Sequence, residues 1–142
     1  MKLELITLLG KKLDQEVYGA TLSTADGEIS VYADHEPLVT LAVPGAIAVR
    51  HKEQDSDDAM EFFAISGGIV EIGNNKMRVL VDEADHGDDI VESESKAALE
   101  RALKLRDSAT SQVELEKAHQ LVDKHAVRLK VAGLRRHRRH QK

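Results

Sequence analysis

The chain has 142 residues, with 20 Lys and Arg against 25 Asp and Glu, a formal net charge of −5, no Cys, no Trp and 3% aromatic residues. Zero Cys excludes disulfide frameworks, thiol nucleophiles, iron–sulfur clusters and thiolate zinc sites, while net acidity and few aromatics argue against nucleic acid as the main partner. No apolar run reaches the roughly 18 residues of a membrane span, and MKLELITLLG lacks the long apolar stretch and cleavage site of a signal peptide.

The charge is unevenly divided. Residues 1–91 carry 7 Lys/Arg and 18 Asp/Glu, a balance of −11, whereas residues 92–142 carry 13 and 7, a balance of +6. Such asymmetry predicts two modules with different surfaces to meet. The first, residues 1–88, reads as short strands. Leu3, Leu5, Thr7 and Leu9 alternate with Glu4, Ile6 and Leu8 as in a half-buried strand, and Gly10-Lys11-Lys12 marks a break. Val17, Ala20 and Leu22 belong to a second stretch that ends at the turn Ala25-Asp26-Gly27. Ile29 and Val31, then Leu38 to Val43, follow, with Pro44-Gly45 as another turn. Residues 46–51 and 60–65 form two further strands around the polar loop 52–58. Ile69, Val70 and Ile72, then Met77, Val79 and Val81, flank the turn Gly73-Asn74-Asn75. Many short strands with frequent Gly turns predict a β-sandwich or barrel.

The second module changes period. From about residue 89 no Gly occurs until Gly133. Asp89 with Glu92, and better Ser111 with Glu114, have capping-box spacing, and residues 107–110 read as the turn between two helices. Helix one carries Ala98, Leu99, Ala102, Leu103 and Leu105. Helix two carries Leu115, Ala118, Leu121, Val122, Ala126, Leu129 and Ala132 on one face. Small Ala side chains bury little area, at roughly 25 cal/mol per Å², so the hairpin, residues 89–133, is expected to dock weakly. Residues 134–142 place five cations among nine residues with no acid and read as a flexible basic tail.

No constellation supports acid–base or nucleophilic catalysis. His35 lacks an oriented partner or a second histidine at metal-ligand spacing and reads as a loop residue. The acidic run 82–89 lacks the order of a calcium loop and reads as a solvated junction whose carboxylates favour the start of helix one. Ser66-Gly67-Gly68 leads into a strand rather than a helix, so it reads as a tight turn needing positive φ rather than a phosphate cradle. His125 lies on the apolar stripe of helix two and reads as a locally bonded histidine, with a pH-sensitive contact as the alternative.

The order of four segments carries a resemblance. Gly27-Glu28 followed by Asp34-His35-Glu36-Pro37-Leu38, Pro44-Gly45-Ala46-Ile47, Ser66-Gly67-Gly68-Ile69-Val70-Glu71-Ile72 and Asn75-Lys76-Met77-Arg78-Val79-Leu80-Val81-Asp82 stand in this order ahead of an Ala-rich hairpin. In that order they resemble the epsilon subunit of F-type ATP synthases. The resemblance implies an α+β chain, mainly β at the N-terminus: a ten-stranded β-sandwich followed by a C-terminal antiparallel α-helical hairpin. It implies a non-catalytic rotor subunit that binds the gamma subunit and the c-ring and is peripheral on the cytoplasmic face of a bacterial plasma membrane. Glu28, His35 and Pro37 match the c-ring-facing segment, although Ser30, Asp34 and Glu36 depart from its usual residues. Ser66, Gly67, Gly68 and Glu71 match the family's turn motif. The hairpin of this family extends into the alpha/beta catalytic head and blocks hydrolysis; Lys117, Lys124, Arg128, Lys130, Arg135 and Arg136 are the candidates for contact with the beta subunit. Where some members bind ATP, Val91, Glu94 and Ser95 replace the expected Asp, Arg and Ala, so tight ATP binding is not expected. The alternative is a stand-alone β-sandwich adaptor whose basic tail binds anionic lipid or an acidic protein.

Overall fold

The structure, a computed structural model, describes the backbone of residues 1–140 and the side chains of residues 1–135. Ten strands come first: β1 (Lys2–Thr7), β2 (Gly10–Glu16), β3 (Gly19–Thr24), β4 (Gly27–Tyr32), β5 (Leu38–Ala42), β6 (Gly45–Arg50), β7 (Glu61–Ile65), β8 (Gly68–Gly73), β9 (Lys76–Val81) and β10 (Ala84–His86). Two helices follow, α1 (Glu92–Asp107) and α2 (Gln112–His140), and 3-10 turns occupy Asp57–Ala59 and Gly87–Asp89. The predicted α+β class, a ten-stranded β-sandwich and then a helical hairpin, is the fold observed.

The strand path runs β10-β7-β6-β3-β5-β8-β9-β1-β2, with β4 beside β3. β3 makes the corner between the layers: Gly19 to Thr21 pair with β6, while Thr24 pairs with Ala42 of β5. β1 pairs antiparallel with β2 and parallel with β9. Alternation sends Leu3 and Leu5, Leu22, Ile47 and Val49, Val70, and Met77 and Val79 into one core, where all are buried. A separate small cluster, Ala64, Ile90, Val131 and Ala132, joins the sandwich to α2. Among the described residues no helix is long and apolar enough to cross a membrane.

Several local expectations are corrected. β1 ends at Thr7, and Gly10 opens β2 instead of breaking the chain, which leaves Leu9 90% exposed in the turn. The reason is the Thr7 hydroxyl, which accepts the Leu9 N–H at 3.1 Å and donates to the Gly10 carbonyl at 3.1 Å, while Gly10 takes φ +118°. Thr24-Ala25-Asp26-Gly27 repeats this turn, with the Thr24 hydroxyl donating to Gly27 at 2.7 Å and φ +115° at Gly27. Gly67 and Gly68, expected to need positive φ, do not have it; their requirement is space. Residues 82–89 are not a solvated loop: Ala84 to His86 pair with β7, and Ala84, Gly87 and Ile90 are buried around them.

The helix ends also differ. α1 begins at Glu92 behind Val91, with no side-chain cap, so Asp89 does not serve as one. At α2 the Ser111 hydroxyl accepts the Glu114 N–H at 3.2 Å, and the Glu114 carboxylate accepts the Thr110 N–H at 3.0 Å, a capping box displaced by one residue on its return side. The Thr110 N–H holds the Glu114 carboxyl below its usual range. α2 does not stop at Gly133. One helical Gly costs only about 1 kcal/mol, and the Leu and Arg residues beyond it are good helix formers. The expected tail at 134–142 therefore begins inside α2, whose backbone runs to His140. Leu105, expected on the packed stripe, is 54% exposed, whereas Ala102 and Ala118 are buried.

Candidate functional site

Four of the residues singled out from the sequence, Ser66, Lys124, Arg128 and Arg135, come together where the sandwich meets α2. Ser66 follows β7, and its backbone N–H donates to the Glu83 carbonyl at 3.0 Å while its hydroxyl accepts the Glu83 N–H at 3.0 Å. This double tie fixes Glu83 at the edge of the sandwich, where its carboxylate meets Lys124 Nζ at 2.9 Å. Two residues on, Asp85 of β10 pairs with the Arg128 guanidinium. Two residues further, the 3-10 turn presents the Gly87 and Asp88 carbonyls, and Arg135 donates to them at 3.1 and 3.0 Å. Lys124, Arg128 and Arg135 thus lie at helical spacing along α2 and grip Glu83, Asp85 and the Gly87–Asp88 carbonyls in turn along one sandwich edge. Val131 and Ala132 seal the apolar floor between them.

Closer to the hairpin turn, α2 leaves the sandwich. A groove of about 650 Å³ opens there, lined on one side by Pro44, Ser66 and Gly67 and on the other by Lys117, Leu121 and Lys124. Lys117 and Lys130 are exposed. The side chain of Arg136 lies outside the described residues. Gly68 permits the close approach of β8 to β9: a Cβ there would stand 2.0 Å from the Leu80 carbonyl oxygen. Glu71 projects from the outer face, with Arg78 at 3.9 Å.

The expected c-ring segment is not one loop. Glu28 is exposed at the start of β4, opposite Ser23. His35 and Pro37 lie beyond the other end of that strand, near the β8–β9 turn, where the Asn75 side chain accepts the Asp34 N–H at 3.2 Å and Pro37 approaches Gly73. His35 Nδ1 lies 2.7 Å from the Glu36 carbonyl. Val91 and Glu94 are exposed at the start of α1, and Ser95 is buried.

Three features escaped sequence reasoning. The first is an apolar outer face: Leu41 and Ile69 are directly paired across β5 and β8, and with Val39 they are 59%, 44% and 73% exposed. Its signal was present, since Leu38-Val39-Thr40-Leu41-Ala42 is apolar on both sides of the pleat. The second is Glu4, buried on the outer side of β1 beneath Lys11, Lys76 and Arg78. Hydrogen bonding from Lys76, with the nearby charge of Lys11, holds its carboxyl below the usual range despite burial. The third is the state of His125, which the sequence placed on the apolar stripe: its buried Nδ1 has no hydrogen-bond partner, contrary to the expected local bond. Burial, reinforced by Lys124, Arg128 and Arg101, pushes its pKa down.

Residues 1–87 match the family described as ATP synthase, Delta/Epsilon chain, beta-sandwich domain. The ATP synthase epsilon chain of Herpetosiphon aurantiacus is 30% identical over 138 residues, covering 97% of this chain and 98% of the relative. The chloroplastic epsilon chain of Gossypium barbadense is 36% identical over 104 residues, covering 72% and 74%. Among solved structures, a chain of the Euglena gracilis mitochondrial ATP synthase OSCP/F1/c-ring assembly has the same fold, with a TM-score of 0.77, 24% identity, and 92% of this chain and 79% of that one covered. With the sandwich matched throughout and a bacterial relative aligned from end to end, the chain belongs to the ATP synthase epsilon-chain family.

Proposed function

We propose that this chain is the epsilon subunit of a membrane-bound F-type ATP synthase, a central-stalk part that links the gamma subunit to the c-ring and restrains ATP hydrolysis through its hairpin. Relatives named as ATP synthase epsilon chains support the subunit assignment, and a fold shared with a central stalk/c-ring chain of the Tetrahymena thermophila mitochondrial enzyme (TM-score 0.60, 14% identity) is consistent with the stalk position. The exposed face of Val39, Leu41 and Ile69 is the surface we assign to gamma, because an apolar sheet face of this kind is normally covered in an assembly. Glu28 is assigned to the c-ring side, and the outward-facing acids Asp34 and Glu36 favour a basic partner loop around His35. The chain itself makes and breaks no bonds in this reading, takes no tightly bound ATP, and stays peripheral on the cytoplasmic face of a bacterial plasma membrane.

The observation that carries the inhibitory reading is how α2 is held. Its grip consists of Lys124–Glu83, Arg128–Asp85, the Arg135 carbonyl contacts and a four-residue apolar cluster apart from the main core. Three of the six cations assigned to the beta subunit, Lys124, Arg128 and Arg135, are thus already occupied by the sandwich. Release from one set of acids and capture by another exchanges like for like, so the two positions need differ by only a few kcal/mol. The test is ATP hydrolysis by the assembled enzyme. E83Q/D85N weakens the grip from the sandwich side while leaving every α2 cation in place, and is expected to deepen inhibition. Truncation before Ser93 is expected to abolish inhibition. Unchanged hydrolysis after truncation refutes the restraining role.

A further inference from the structure

We propose that Arg78 selects what binds the apolar outer face of the sandwich, by taking a carboxylate from the gamma segment that lies there; this rests on the assignment of Val39, Leu41 and Ile69 to gamma. The face is wider than those three residues. Leu41 pairs with Ile69, Ile69 with Leu80, and Leu80 with Ile6, so one apolar row crosses β5, β8, β9 and β1. At about 4.8 Å between strands the row is roughly 14 Å long. Leu41 and Ile69 are exposed, and Leu80 and Ile6 are half-buried. α2 packs against β6 and β7 instead.

The next row on the same face is charged. Glu71 stands opposite Arg78, Arg78 beside Glu4, and Glu4 opposite Asp14. Two of these acids are matched without Arg78. Glu4 has Lys76 at 3.1 Å and Lys11 at 3.4 Å, and Asp14 has Lys2 and Lys11, both at 3.2 Å. Arg78 is the cation left over. Its buried Nε has no hydrogen-bond partner. Glu4 lies 3.8 Å from that nitrogen, and Glu71 lies 3.9 Å from Nη1, both beyond hydrogen-bond reach.

Water hydrates that guanidinium in the free chain, where the side chain is 40% exposed. A segment laid on Ile69 and Leu80 removes this water, because Arg78 follows Leu80's side of β9 one row away. A cation that loses its water must gain a close partner or the contact is heavily penalised. With Nε turned to Glu4 on the β1 side, the guanidinium offers its outer edge to a group arriving from above. The planar fork there accepts a carboxylate through two parallel bonds. Glu71 meets one nitrogen only, and not at bonding distance. The apolar row thus supplies area, and Arg78 admits only a segment that carries an acid beside its apolar residues.

The chain lacks Cys, so a fluorophore on Glu53→Cys, in the exposed loop before β7, labels the full chain at one place. The labelled chain is titrated onto the gamma-containing catalytic head stripped of this subunit. Arg78→Met keeps the aliphatic stem and removes the charge, and is expected to weaken binding roughly 30-fold or more and to lessen its dependence on KCl. Glu71→Gln removes a carboxylate that repels the incoming one, and should tighten binding several-fold. Leu41→Asp should abolish it. Urea unfolding of the free variants should match the unsubstituted chain, which places the losses at the interface. Arg78→Met binding as tightly as the unsubstituted chain, with Leu41→Asp inactive, overturns the role of Arg78 and leaves the gamma assignment standing. Glu71→Gln weakening the complex as much as Arg78→Met means that Glu71 closes on Arg78 and gamma brings no acid, which also overturns it. Undiminished binding by Leu41→Asp overturns the gamma assignment of this face and the role of Arg78 together.

Discussion

At Gly68 the fold has no room for a methyl group. An added Cβ would lie 2.0 Å from the Leu80 carbonyl oxygen and 2.9 Å from a Val81 methyl, both on the neighbouring strand. Backbone on one side and a buried side chain on the other leave nothing flexible to move aside. Gly68→Ala is therefore expected to lower stability by about 3 kcal/mol, the upper part of the range for overpacking, in urea unfolding of the full chain. At Gly10 a side chain would meet nothing within 4 Å, but φ is +118°, so substitution there strains the backbone instead. These two requirements look identical in a sequence, where each is only a Gly near a turn. For the same reason Ser66-Gly67-Gly68 was legible as a break while its physical basis was not. Likewise, Thr7 reads as one more alternating residue until its hydroxyl is seen closing the turn.

At the scale of elements, legibility followed length and amphipathic contrast. β6, β8 and β9 and both helices show clean periods because one face is buried and the other wet. β2 does not, since Leu13 is its only buried residue, and the three residues of β10 are too few for a period. The acidic run around β10 concealed its role because the cations that neutralise it come from α2, about 40 residues further along the chain. The hairpin carries a defect of its own at His125. Its neutral form is favoured by burial, so the unfolded hairpin binds protons more readily than the folded one. Stability is then unaffected well above the ordinary histidine pKa of about 6.5 and falls as the pH drops through that value toward the lowered one. His125→Leu removes both the unpartnered Nδ1 and this dependence. It should gain about 1 kcal/mol of hairpin stability at neutral pH and reduce the loss between pH 7 and 5.5, followed by helical circular dichroism on heating.

For the whole molecule, the division into −11 and +6 becomes a contact between an acidic edge and a basic helix. Exposed and half-exposed ion pairs are screened by salt, and each contributes at most about 1 kcal/mol, whereas the Val131 and Ala132 cluster is insensitive to it. Raising KCl from about 50 to 500 mM, where the Debye length shrinks from above 10 Å to a few ångströms, should lower the docked population of α2 only in part. The sandwich itself should be unmoved, as judged by urea unfolding of a chain truncated before Ser93. A salt-independent docked distance would mean that apolar contacts alone hold the helix. The parallel pairing of β1 with β9, Lys2 opposite Lys76 through Ile6 opposite Leu80, has a further consequence for how the chain acquires its shape. The first strand made lies inside its layer, between β2 and β9, so one of its edges stays open while some seventy residues are synthesised. Closing so long a loop is entropically slow. The layer holding β1 is closed only as residues 76–81 leave the ribosome, and β10 and the helices, made after it, meet a wall that has just closed.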